Sequence, residues 1–226
     1  ATPEICRAYV SCDRRIRYYR NAANIGAAGN YDRTFGLARG QYFKWAPHDD
    51  VYAPGYLRAC VETLDRGGER VVLAASRVLL IDDDGKVIRE HDDLMDFREH
   101  DPVQRLAHLL SDPKSWCHAV MGLMRTKVLR TTKLIGRYNG SDHTLLAELV
   151  LRGEFHQIPD RLYLRRVVDG QSPSLRANVT PEDVVAWFDP SRRGRVVLPW
   201  TRMLAEHVRV IVRAPLAWRQ KLACLR

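Results

Sequence analysis

Helical and strand periods of apolar and polar residues alternate along the first third of this chain. The pattern predicts a helix over about Thr2–Cys12, with Thr2 as N-cap and Pro3 at the first helical position. A short strand over Ile16–Tyr19, a helix over about Ala27–Ala38 and a strand over Tyr42–Ala46 follow. This βαβ rhythm implies a largely parallel sheet. Gly40 fits the end of the second helix, and Pro54 opens another that runs to about Asp65. Between strand and helix stand Asp49 and Asp50, adjacent carboxylates at a strand's carboxyl end, where α/β proteins place metal and phosphate chemistry.

Beyond Gly67-Gly68 the period becomes that of strands. Val71–Ser76 and Val78–Ile81 precede Asp82-Asp83-Asp84-Gly85 and Val87-Ile88, which predicts a hairpin whose acids serve the turn. A helix over about Pro102–Leu110 leads to Trp116-Cys117-His118 and an apolar, strand-like run ending near Arg125. Asp142 starts a helix over Thr144–Arg152 that Gly153 terminates, and Leu162–Val168 reads as a strand. Thr180-Pro181-Glu182-Asp183 combines an N-cap, a proline at the first position and an acid at the third. From Pro199 the chain is helical and basic. The division this suggests is an α/β domain over 1–175 and a helical basic extension over 176–226.

With 226 residues, 46% of them hydrophobic and 28% charged, the chain has the composition of a folded domain with a real core. No apolar run approaches the roughly 18 residues of a membrane span. A net charge of +9 suits anionic partners, but no recognised motif accompanies it, so nucleic acid is not expected. Five widely spaced cysteines without a zinc-type pairing read as reduced thiols of a cytoplasmic protein.

Asp49 and Asp50 offer hard oxygen ligands for Mg²⁺ or Mn²⁺, or else cap the helix near Pro54. Asp142 is either a proton acceptor or an N-cap. Arg165 and Arg166 match phosphate oxygens, and on an alternating strand at most one of them faces a site. Trp116 and His118 line an acceptor pocket or belong to the core. The tail, with Arg202, Arg209, Arg213, Arg219, Lys221 and Arg226 among apolar residues, either packs on the domain or lies on an anionic membrane surface.

Taken together, Asn24-Ile25-Gly26, Asn30, Ala38-Arg39-Gly40-Gln41-Tyr42, the Asp49-Asp50 pair and Pro54 resemble, in order and spacing, the signature of family-2 glycosyltransferases. Similarity continues through Trp116–Arg125, Gly140-Ser141-Asp142, Glu148-Leu149 and Leu162–Arg166. The resemblance implies a GT-A-like mixed, mostly parallel sheet flanked by helices, and an inverting sugar transfer from a nucleotide-sugar donor to a saccharide or lipid-linked acceptor in cell-surface polysaccharide or glycolipid synthesis. It implies a divalent metal (Mn²⁺ or Mg²⁺) on Asp50, with Asp49 on the donor's ribose or the metal's water shell, and substrate contacts from Asn24, Arg166 and Trp116, the last at the acceptor. Asp142 takes the position of the catalytic base, and the protein works in the cytoplasm or at the inner membrane face. The chain starts just after the unit expected to hold the donor's base, and Val167-Val168 stand where many relatives carry a metal-binding His. An N-terminally truncated enzyme lacking the first βαβ unit is therefore expected, with a non-catalytic remnant or binding protein as the alternative.

Overall fold

The computed structural model describes residues 2–92, 94–111, 118–167, 180–193 and 199–226. It opens with helices α1 (Thr2–Cys12) and α2 (Gly26–Gly36). The strand expected over Ile16–Tyr19 does not form: Ile16 and Tyr19 stand exposed, and no described strand pairs with them. Four alternating residues make a strand only where a neighbour takes their backbone hydrogen bonds. α2 has a local cause. Asn24 Oδ1 accepts from the Gly26 backbone N–H at 2.9 Å, and Gly26 takes φ +74°. A β-carbon on Gly26 would come within 2.5 Å of the Phe188 carbonyl oxygen, so the chain needs glycine there twice over.

Strands β1 (Tyr42–Phe43) and β2 (Val51–Tyr52) flank the Asp49-Asp50 loop, and α3 (Tyr56–Gly67) follows. β3 (Val71–Ile81) and β4 (Val87–His91) form the expected hairpin. In its turn Asp82 Oδ1 accepts from the Asp84 and Lys86 backbone N–H groups at 3.1 and 2.8 Å, while Gly85 adopts φ +83°. The remaining elements are α4 (Pro102–Ser111), β5 (Leu123–Arg125), α5 (Thr126–Leu129), α6 (Ser141–Val150), β6 (Glu154–Arg166), α7 (Pro181–Phe188), α8 (Pro199–Arg213) and α9 (Trp218–Cys224).

The sheet runs β1-β5-β3-β6-β2, with β4 on the far half of β3. It is mixed, as expected, but not mostly parallel. Among the described residues only β3–β6 pairs in parallel, whereas β1–β5, β3–β5, β3–β4 and β2–β6 are antiparallel. Of the strands paired with β3, only β6 runs in its direction, reached after α4, α5 and α6; the adjacent hairpin strand β4 and the short β5 run against it. β1 stops at Phe43 rather than Ala46 because β5 offers it only Met124 and Arg125. β6 begins at Glu154, eight residues before the expected Leu162, and its register against β3 slips between Ile158 and Arg161. Pro159 lies in that slip. A proline has no N–H for the ladder and breaks the alternation that marks a strand.

Residues of β3 divide between two apolar clusters. Val71, Ala74, Val78 and Leu80 pack with Tyr56, Cys60 and Leu64 of α3. Val72, Leu73 and Ala75 join Leu106 and Leu109 of α4, Leu145, Leu146 and Leu149 of α6, and Val210 and Ile211 of α8. The helices after residue 180 thus share the core of the sheet rather than building their own. Arg125 ties the first layer together from a buried position, donating to the carbonyls of Val71, Leu64 and Gly68 at 2.8, 2.6 and 2.7 Å.

Candidate active site

A cavity of about 1110 Å³ opens at the carboxyl ends of β1 and β6. Asn24, Tyr31, Lys44, Asp49, Asp50, Asp142 and Arg165 are among its lining residues. They arrive from several parts of the chain. Asn24 and Tyr31 come from the start and middle of α2, the two acids from the loop before β2, Asp142 from the first turn of α6, and Arg165 from the end of β6.

Asp50 is held from both sides. Its Oδ2 accepts from the Tyr163 hydroxyl at 2.6 Å and its Oδ1 from the Arg166 backbone N–H at 3.0 Å. Burial raises its pKa, opposed by those two hydrogen bonds. Tyr31 reports how the acids are grouped. Its phenol is pushed up to about 12, first by burial and then by the negative charges of Asp142, Asp49 and Asp50. Three carboxylates therefore act on one hydroxyl at the cavity wall.

Two cations stand with them. The Arg165 guanidinium lies 2.7 Å from His118 Nε2, and burial drives the His118 pKa well below its usual value, so the neutral ring accepts that bond. Lys44 Nζ donates to the Trp45 carbonyl at 2.9 Å and sits 3.2 Å above the centre of the Tyr52 ring. Burial lowers the Lys44 pKa to about 7. The sign of its effect on folding follows. Below about pH 7 folded and unfolded chains both carry the charge, and its full desolvation cost weighs on the fold. That cost is relieved as pH rises towards the ordinary lysine value of 10.5. Lys44→Met is expected to raise the thermal midpoint most at and below pH 7, with the gain shrinking towards pH 10. A midpoint difference that stays constant across a pH series would contradict the buried, readily discharged amine.

Arg166 has a different position from Arg165. Its Nε donates to the Asp49 carbonyl at 2.9 Å, and Nη1 donates to the carbonyls of Asp82 and Asp83. It clamps the acid loop to the β3–β4 turn and is not among the cavity's lining residues. Trp116 and Val168 lie outside the described residues. Asp142 Oδ1 accepts from the His143 backbone N–H at 3.0 Å, and the N-cap of α6 is Gly140 in the left-handed conformation, without a side-chain cap. Asp142 thus sits inside the first turn rather than capping it.

The glycosyl transferase family 2 model matches residues 1–132 of this sequence, more than half of the chain. The chain belongs to glycosyltransferase family 2. An uncharacterized glycosyltransferase of Methanocaldococcus jannaschii, MJ1057, is 28% identical over 87 residues, 38% of this chain and 30% of that protein. Among solved structures, S. aureus TarS (residues 1–349) matches with a TM-score of 0.56 at 12% identity, over 96% of this chain and 57% of the TarS chain. At that identity the likeness shows the fold, a GT-A-type mixed sheet with flanking helices. The chain spans about a third to a little over half the length of these two proteins.

Within this member of the family the expected site residues divide. Asn24, Asp49, Asp50 and Asp142 share one cavity, and Asn24 also spends its Oδ1 on the turn into α2. Tyr31, Lys44 and Tyr163 were not singled out by sequence. Lys44 carried a signal, a charge inside the apolar run Tyr42–Ala46, whereas nothing local marks Tyr31 or Tyr163. Among the described residues no three His, Cys, Asp or Glu side chains are grouped to hold a metal. Mg²⁺ and Mn²⁺ are commonly bound through one or two carboxylates together with substrate phosphate oxygens. The donor set, Asp49 with the remaining lone pairs of Asp50, fits an ion that is completed by a diphosphate.

Proposed function

We propose that this protein transfers a sugar, with inversion, from a nucleoside-diphosphate donor to a hydroxyl of a saccharide or lipid-linked acceptor. The observation that carries this reading is the meeting, in one cavity, of Asp49 and Asp50 with Asp142 and Arg165, which come from three separate elements. The two kinds of charge suit the two halves of the reaction. In this reading Arg165 stabilises the negative charge that develops on a leaving diphosphate. Asp142 stands free of a capping duty, with one oxygen engaged by His143 and the other available to accept the acceptor's hydroxyl proton. As that proton moves to Asp142, the acceptor oxygen bonds to the anomeric carbon, and the bond to the diphosphate breaks on the opposite face. A divalent cation, bound by Asp50 and Asp49 with the diphosphate, would supply Lewis-acid neutralisation of the leaving group. Tyr163 and Arg166 keep the Asp50 carboxylate oriented through its two oxygens.

Calorimetry tests the donor side. Nucleoside diphosphates titrated with Mn²⁺ present are expected to bind, and Asp50→Ala to weaken that binding at least about tenfold. Mn²⁺ alone is expected to bind in the millimolar range or weaker, since the described residues offer no three-ligand set. Micromolar Mn²⁺ binding without nucleotide, or binding of no nucleoside diphosphate at all, would remove the proposal.

A further inference from the structure

The C-terminal helices carry an outward face that the chemistry above does not use. α8 buries Val210 and Ile211 against the core. At 100° per residue, Leu204, Val208 and Val212 then fall on a neighbouring arc of about 80°, and they are 67%, 39% and 58% exposed. Arg209 and Arg213 follow at the outer border of that arc, both exposed. α9 repeats the arrangement. Trp218, Leu222 and Leu225 share one face, each roughly half or more exposed, with Arg219 on one side and Lys221 on the other. Lys221 Nζ donates to the Val212 carbonyl at 2.7 Å, which joins the two apolar stripes side by side.

Six exposed apolar side chains in such an arrangement need a cover, and no described residue provides it. Charge chooses the occupant. Residues 199–226 hold six Arg or Lys and a single acid, Glu206. A second copy of the chain docking through the same patch would set these cations against their own equivalents. An anionic surface meets them favourably, and long basic side chains at the rim of an apolar stripe place their stems in the acyl boundary and their heads among phosphates.

We propose that α8 and α9 lie in the plane of an anionic phospholipid bilayer, with Leu204, Val208, Val212, Trp218, Leu222 and Leu225 inserted at the headgroup level. Among the described residues no helix is long and apolar enough to cross a membrane, so this contact is interfacial. The proposal does not depend on the sugar-transfer reading, but it has a consequence for it. α8 packs on α6, and a β-carbon on Gly140 would meet Met203 Sδ at 2.8 Å. The helix that carries Asp142 therefore rests directly on the inner side of the membrane-facing helix, which brings the site close to an acceptor anchored in lipid.

Flotation of the 226-residue chain with lipid vesicles tests this. The chain is expected to rise with phosphatidylcholine vesicles containing about one-third phosphatidylglycerol, to stay behind with phosphatidylcholine alone, and to lose binding as salt is raised. The double variant Leu204→Glu, Trp218→Glu changes only exposed positions, so its circular dichroism should match the parent, and its partition should fall at least about tenfold. Arg209→Glu with Arg213→Glu should fall similarly on anionic vesicles. Failure of the parent chain to float, equal flotation with neutral vesicles, or unchanged flotation of the folded variants would overturn the proposal. So would sedimentation showing a dimer that Leu204→Glu converts to monomer, since the patch would then belong to a second copy.

Discussion

Asp142→Asn is expected to slow sugar transfer by about 10²- to 10⁴-fold, the contribution of a positioned general base. The substitution keeps the size of the side chain and an oxygen that can accept from the His143 N–H, so α6 should start as before. Gly140 provides the helix's N-cap position without help from Asp142, which removes the structural reason for a large loss. Donor affinity should change little, because the proposed reaction sets Asp49 and Asp50, not Asp142, against the diphosphate. Release of nucleoside diphosphate, with and without acceptor, measures the rate, and thermal unfolding measures the fold. If the rate falls less than about tenfold, or falls only in step with lost stability, Asp142 is part of the scaffold and the base must be sought elsewhere.

Arg125→Met is expected to cost about 3 kcal/mol, because charged hydrogen bonds of this kind are worth about 1.5–3 kcal/mol each and are offset in part by relief of desolvation. Arg125 is 5% exposed and its guanidinium serves three carbonyls on two structural pieces, the end of α3 and the start of β3. Methionine fills the volume but donates nothing, which leaves the last turn of α3 with an unanswered carbonyl. For a chain of this length the loss corresponds to a fall of roughly 6–12 °C in the thermal midpoint. Arg125→Lys should recover only part of it, since one ammonium group cannot span all three acceptors. A midpoint within about 2 °C of the parent for Arg125→Met would show that the carbonyls find other partners. The effect reaches the site through β5, which carries Arg125 and pairs with β1, the strand that leads to Lys44 and the acid loop.

Where a signal acts over a few residues, it was legible. Thr180 and Asp183 form the expected capping box, and the Asp82–Gly85 turn closes as its residues require. Asn24 and Gly26 start α2 through one side-chain bond and one positive φ. Where a neighbour decides, reading failed. Ile16–Tyr19 has the look of a strand and no partner, whereas Val51-Tyr52 is too short to be noticed and becomes a strand because β6 pairs with it. Arg165 and Arg166 could not be told apart by type. Alternation separates their directions, and only the position of the β3–β4 turn shows that Arg166 is the clamp and Arg165 the residue at the cavity.

By itself the sequence determined the helix starts, the hairpin turn, the family, and an acid pair set between a strand and a helix. These follow from hydrogen bonds and dihedral preferences within a few residues, which are the same in any surroundings. The tertiary structure decided what that pair meets. Tyr163 reaches Asp50 across 113 residues of chain, Arg166 across 116, and Asp142 comes to the same cavity from another helix. Such meetings depend on the register of β6 against β2 and β3 and on the packing of α6 beneath α8, which are set by burial summed over the whole core and carry no local mark.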